Sequence, residues 1–88
     1  MYAVYVLQSE LDGSYYVGQT SDLEDMLKRH NRGTEKASRN KRPWKLVYRE
    51  QYTTRSEAMH REKEIKARKK RAFIDRLVAA HRGVAQPG

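Results

Sequence analysis

Four side chains in this sequence have the types and placement for acid–base or metal chemistry: Tyr5, Tyr16, His30 and Glu62. Two phenols and an imidazole can pass protons to and from water, and a lone carboxylate can hold a hard divalent cation. With a cation to neutralise charge on the phosphoryl group, such a set suits hydrolysis of a phosphodiester. The plainer alternative is structural: tyrosines are good strand residues, with their hydroxyls hydrogen-bonded at the rim of a half-buried sheet. Residue type alone favours that alternative, so placement has to decide.

Tyr2 to Leu7 alternate, with Tyr2, Val4 and Val6 on one face and Ala3, Tyr5 and Leu7 on the other, the period of a strand. Asp12-Gly13 predicts a hairpin, because both residues tolerate the positive φ of a type I′ turn. Cross-strand partners then have numbers summing to an odd value, which puts Tyr5, Leu7, Tyr16 and Gly18 on a common face. A strict two-residue turn sets Tyr5 opposite Thr20, about 13 Å along the strand from Tyr16. A longer loop or a bulge brings the two phenols together, and the sequence leaves both arrangements open. Ser21-x-x-Glu24 reads as a capping box opening a helix near 22 to 32, with Gly33 as its left-handed stop. Leu23, Met26, Leu27 and His30 form the inward stripe of that helix, so His30 faces the sheet.

Residues 34 to 43 lack periodicity and carry Lys36, Arg39, Lys41 and Arg42, which reads as a mobile basic loop able to contact phosphates or simply to connect. Trp44, Leu46 and Tyr48 alternate with Lys45, Val47 and Arg49 in a third strand that is apolar on one face. Trp44 can stack on a base, but strand periodicity assigns it to packing. Thr54-x-x-Glu57 caps a second helix whose stripe of Ala58, Met59 and Ile65 is interrupted by Glu62. A carboxylate there either binds a metal or pairs with Arg55 or Lys66. His60 lies off the stripe, at the surface. Lys66, Arg68, Lys69, Lys70 and Arg71 form a cationic run before a last helix with the stripe Phe73, Ile74, Leu77, Val78 and Ala80 and a stop at Gly83.

The 88 residues make one domain, near the lower limit for a single core without staples. The absence of cysteine excludes disulfides and thiolate metal sites and suits a reducing cytoplasm, the expected location. No 18-residue apolar run exists, so no membrane partner is expected. Nineteen Lys and Arg against eleven Asp and Glu give a net charge of +8. A field of that sign on so small a surface favours nucleic acid as the partner.

Ala3-Val4-Tyr5, ten intervening residues, Tyr16-Val17-Gly18 and a helix ending in His30 resemble the GIY-YIG nuclease superfamily. The resemblance continues through Arg42 to Tyr48 and Ser56 to Lys66, as in small stand-alone bacterial members similar to the excinuclease C nuclease domain. It implies an α/β (α+β) fold: a three-stranded antiparallel sheet flanked by helices near 22 to 32, 55 to 69 and 71 to 82. The domain would span 1–83, with its motif core at about 2–66 and a frayed tail at 84–88. By the same resemblance, Tyr5 and Tyr16 act around the attacking water and scissile phosphate, and Gly18 stands where a side chain would crowd the site. His30 binds phosphate or relays a proton, and Glu62 ligates Mg²⁺ or Mn²⁺. Four residues before His30 the family carries an arginine, and here Met26 stands instead. Loss of such a transition-state partner costs about 10² to 10³ in rate. Arg29, about 60° around the helix, is the nearest substitute. The expected function is a metal-dependent DNA endonuclease or nucleic-acid-processing phosphodiesterase, slowed or silenced at Met26. The alternatives are a non-catalytic nucleic-acid-binding module of the same fold and a charge-bound structural protein.

Overall fold

A computed structural model describes residues 1–68 and 70–84; Lys69, one of the expected phosphate contacts, and the tail at 85–88 lie outside the described residues. The chain forms β1 (Tyr2–Ser9), β2 (Tyr15–Thr20), α1 (Leu23–Arg32), a 3-10 turn (Arg39–Lys41), β3 (Trp44–Tyr52), α2 (Arg55–Arg68) and α3 (Arg71–Val84). The strands make one antiparallel sheet in the order β2-β1-β3.

Because β1 is central, every residue from Ala3 to Leu7 is buried. Its alternation sorts side chains between two helical layers rather than between core and water. Tyr5 and Leu7 pack with Met26 and Trp44, flanked by Tyr16, Leu23, Leu27 and Leu46, on the α1 side. Val4 and Val6 pack with Ala58, Ile65 and Val78 on the side of α2 and α3.

The hairpin takes the longer of the two loops open to it. The Ser9 N–H donates to the Ser14 carbonyl at 2.8 Å, which leaves four residues outside the ladder, with Gly13 at φ 79°. The register is therefore two residues closer than a strict Asp12-Gly13 turn allows: Tyr5 lies opposite Gly18 and Leu7 opposite Tyr16.

Several local expectations are corrected. Asp22, not Ser21, caps α1, its carboxylate accepting the Asp25 N–H at 3.0 Å. Asp and Ser cap about equally well, and the Asp22 N–H is itself bound by Thr20 Oγ1, which favours the later start. Strand β3 is not apolar on one face only. An irregularity opposite Val6 and Leu7 sends Trp44 and Leu46 to the α1 layer and Val47 and Tyr48 to the α3 layer. Met59 is exposed and lies outside the α2 stripe, Ala80 is exposed on α3, and α3 continues past Gly83 to Val84. The Thr54 cap holds as read, with Thr54 and Glu57 each accepting the other's backbone N–H.

The loop at 34–43 is built into the fold rather than loosely attached. Ser38 is fully buried, its carbonyl accepts the Trp44 indole N–H at 2.8 Å, and Ser9 Oγ donates to the Lys41 carbonyl at 2.7 Å. Asn31 fixes the entry to β3, accepting the Trp44 N–H at 2.6 Å and donating to its carbonyl at 3.0 Å. No helix among the described residues is long and apolar enough to cross a membrane.

Arg61 clamps α2 to the sheet by donating to the Glu50 carboxylate at 2.9 and 3.0 Å, and the Tyr48 and Tyr52 hydroxyls donate to the same group. Burial pushes the Glu50 pKa up, but these donors outweigh it and hold the group below its ordinary value of 4.5. Its stabilisation is thus present above that value and lost as pH falls through the folded-state pKa. Arg61→Met should cost about 1–3 kcal/mol and shallow the acid-induced loss of stability. Thermal melts of both proteins from pH 7 to pH 3 measure this.

Candidate active site

Tyr5 of β1 lies opposite Gly18 of β2. A Cβ built on Gly18 would fall 2.5 Å from the Tyr5 hydroxyl and 2.7 Å from its Cζ, contacts that no side chain can make. Gly18 is thus required for space: the Tyr5 phenol crosses the edge strand where β2 has no side chain. In this way a residue of the central strand delivers its hydroxyl to the sheet edge.

There it meets His30. The Tyr5 hydroxyl lies 3.4 Å from His30 Nε2, and the Tyr16 ring packs edge-on against the imidazole with centroids 4.8 Å apart. Tyr16 makes a second edge contact with Trp44 at 6.0 Å. His30 is 3% exposed, and its Nδ1 lies 2.6 Å from Ser38 Oγ. Tyr5, Tyr16 and His30 therefore form one cluster, as the parity of the hairpin and the stripe of α1 imply.

The electrostatics favour the neutral forms of Tyr5 and His30. Burial raises the Tyr5 pKa well above its ordinary 10.0, and the neighbouring Tyr16 and Glu62 raise it further. Burial lowers the His30 pKa below 6.5, with Glu35 opposing and Arg29 reinforcing the shift. A neutral phenol beside a neutral imidazole makes a hydrogen-bond donor and an acceptor, the arrangement needed to hand on a proton.

Glu62 on α2 acts on Tyr5 through its charge and pairs with Lys66 at 2.7 Å, its side chain 20% exposed. Of its two expected salt-bridge partners, Lys66 is the one engaged. Met26 is 1% exposed and packed among Tyr5, Leu7 and Trp44, so the place of the family arginine is here a core position. Arg29 does not stand in freely, because its guanidinium is bonded to Asp25 at 2.9 Å and Glu35 at 3.1 Å.

The cations fall into two groups that both reach the β1–β2 loop. Lys36 and Arg39 are exposed, Lys41 lies 3.2 Å from Asp12, and Arg42 donates to the Arg39 carbonyl at 2.7 Å. In the other group, Lys66, Lys70 and Arg71 line a groove of about 470 Å³ along β2 that also includes Tyr15 and Tyr16. Arg71 stacks on Tyr15 and donates to the Gly13 carbonyl at 2.8 Å, while Arg68 lies over Phe73. Ser38 was hidden from sequence reasoning: a lone serine in a polar loop carries no signal, and only the fold shows that it is buried against His30.

The GIY-YIG catalytic domain model matches residues 1–75, and the chain belongs to that family. Proteins similar to this chain include UPF0213 proteins. Those of Staphylococcus aureus strains Mu3 and N315 are each 45% identical over 64 residues, covering 72% of this chain and 77% of theirs. The solution NMR structure of the UPF0213 protein BH0048 from Bacillus halodurans aligns with a TM-score of 0.57 at 34% identity, covering 91% of this chain and 85% of that one.

The lowered His30 pKa links stability to pH. The unfolded state takes up a proton near pH 6.5 while the folded state resists it, so stability is complete above that value and is lost as pH falls below it. The melting temperature should drop between pH 7 and pH 5, and His30→Gln should remove that part of the drop. Paired melts of the two proteins across this range are the check.

Proposed function

We propose that this protein is a metal-dependent phosphodiesterase acting on nucleic acid, with DNA as the substrate its family resemblance favours. The observation that carries this reading is the passage of the Tyr5 phenol over Gly18 to meet His30 and Tyr16 within the field of Glu62.

Tyr5 takes a proton from the attacking water as its own passes to His30, and Tyr16 helps to orient the phosphate. The water oxygen forms the new P–O bond, the opposite P–O bond breaks, and the leaving oxygen collects a proton from solvent. Lys66, Lys70 and Arg71 bind phosphates flanking the reacting one, and Lys36, Arg39, Lys41 and Arg42 extend that surface, with Arg68 as a further contributor to its charge.

GIY-YIG nucleases are in general dependent on divalent metal. Among the described residues there is no group of three or more His, Cys, Asp or Glu that could hold an ion, so a cage built wholly of protein is not offered there. The donor set fits the other kind of site: one carboxylate, Glu62, completed by phosphate oxygens and water, as Mg²⁺ or Mn²⁺ accepts. When bound, such an ion would polarise the phosphoryl group and neutralise developing charge. Lys66, itself 54% exposed, would have to release Glu62, which is 20% exposed. Glu62→Gln should lower Mg²⁺- or Mn²⁺-dependent cleavage about 10²-fold or more while DNA affinity in chelator holds or rises slightly. Cleavage and filter-binding assays on a panel of nucleic-acid structures test both halves. Equal cleavage by the two proteins sinks the ligand assignment.

A second reading, a binding module without catalysis, is favoured by Met26, whose burial in the core leaves no arginine at the family's position. The two readings divide on Met26→Arg. A slow nuclease should gain about 10-fold or more in cleavage at some cost in melting temperature, since the stem replaces a core side chain. A binding module should lose stability and gain nothing, and single-turnover cleavage alongside thermal melts separates them.

A further inference from the structure

Ser38 lies outside every catalytic motif, yet it is 0% exposed and holds the ring nitrogen of His30 that faces away from Tyr5. A neutral imidazole carries one proton, and its two nitrogens play opposite roles. Which nitrogen carries it decides whether His30 can accept a proton from Tyr5 at all.

The buried protons can be counted. If the proton is on Nε2, that N–H points at the Tyr5 oxygen and Ser38 donates to Nδ1. The Tyr5 hydroxyl, 4% exposed, then has to send its own proton elsewhere, and His30 Nε2 is the one hydrogen-bonding group within reach of it among the described residues. If the proton is on Nδ1, every group is used. Nδ1–H donates to Ser38 Oγ at 2.6 Å, the Ser38 hydroxyl turns to the Glu35 carbonyl at 3.5 Å, and the Nε2 lone pair receives the Tyr5 hydroxyl at 3.4 Å. In this second arrangement each buried proton has an acceptor, whereas in the first the Tyr5 hydroxyl proton has none among the described residues.

We infer that Ser38 is a positioning residue that fixes His30 as the Nδ1–H tautomer, so that Nε2 faces Tyr5 as a proton acceptor. The catalytic part of this inference rests on the phosphodiesterase reading; the tautomer does not. The proton transfer balances: water gives a proton to Tyr5 Oη, Tyr5 gives its own to Nε2, and the imidazolium is left with Nδ1–H still on Ser38. Ser38 also has a rigid seat for the task. Its N–H donates to the Glu35 carbonyl and its carbonyl accepts the Trp44 indole N–H, so the oxygen that meets His30 is held from the backbone on both sides. The same segment carries Lys36, Arg39, Lys41 and Arg42, so the residue that sets the acceptor nitrogen sits within the loop that reaches for phosphate.

The test is long-range ¹H–¹⁵N correlation of the imidazole nitrogens at pH 8, with His30→Gln used to assign its signals among three histidines. Wild type should show a protonated Nδ1 and a bare Nε2, the reverse of the tautomer free imidazole side chains prefer. Ser38→Ala should shift His30 toward Nε2–H, and Ser38→Thr, which keeps the hydroxyl, should restore the wild-type pattern. An Nε2–H signal from His30 in wild type overturns the inference without needing any variant to fold. In the cleavage assay, Ser38→Ala should lower kcat about 10-fold with KM little changed, and Ser38→Thr should recover it. If the tautomer flips and kcat holds, the positioning role is overturned. Absence of cleavage by wild type on every substrate would remove the phosphodiesterase reading and leave the tautomer result standing.

Discussion

A missing Cβ at Gly18 sets the geometry on which the site depends. An antiparallel edge strand normally screens the central strand from the edge with its own side chains. Here the phenol of Tyr5 occupies the space a β2 side chain would fill, with 2.5 Å to where that atom would be. The register supplies the opportunity, because the four-residue loop puts Gly18, not Thr20, opposite Tyr5. α1 brings His30 to the Tyr5 hydroxyl, and the charge of Glu62 on α2 acts on the same group. Three elements of different origin can therefore contribute to one spot without any of them leaving its packing position.

Burial does a second service at that spot. The same desolvation that raises the Tyr5 pKa lowers that of His30, because each group is penalised in its charged form. An exposed pair at the same distance would exchange protons with water independently. Shielded together, they form a single path with one donor and one acceptor, and Ser38 determines its direction. Packing also explains why the path is stiff: Tyr16 braces the imidazole from the side, Trp44 braces Tyr16, and Trp44 is in turn held by Asn31 and by Ser38 itself.

Much of this was legible in the sequence, for identifiable reasons. Loops of two and of four residues give the same strand parity, so the shared face of Tyr5, Tyr16 and Gly18 could be read even though the register could not. Helical period placed His30 inward and put Glu62 among apolar neighbours. What stayed hidden required distance information. The choice of Asp22 over Ser21 as cap turns on a Thr20 hydroxyl, and the switch of β3 between layers turns on one irregular pair at Val6 and Leu7. The loop at 34–43 looked detached because its anchors, Ser38 and the Lys41 carbonyl, bond to residues far away in sequence or carry no hydrophobic signature.

Met26 shows how a core and a catalytic site compete for one position. It lies on the same helical stripe as His30 and one turn before it, so any side chain there must enter the space between α1 and the sheet. A methionine fills that space with flexible apolar atoms and strengthens the layer that holds Tyr5, Leu7 and Trp44 in place. An arginine could run its stem through the same space only by carrying its charged head out toward the edge, where Tyr5 and Tyr16 lie. The charge would then arrive beside the phosphate, and the core would lose packing. The chain has taken the packing, and the guanidinium of Arg29, on the same helix, is committed to Asp25 and Glu35. On the proposed reading, positive charge for a phosphate at this edge comes from cations outside α1, such as Lys66, Lys70 and Arg71, which line the groove along β2.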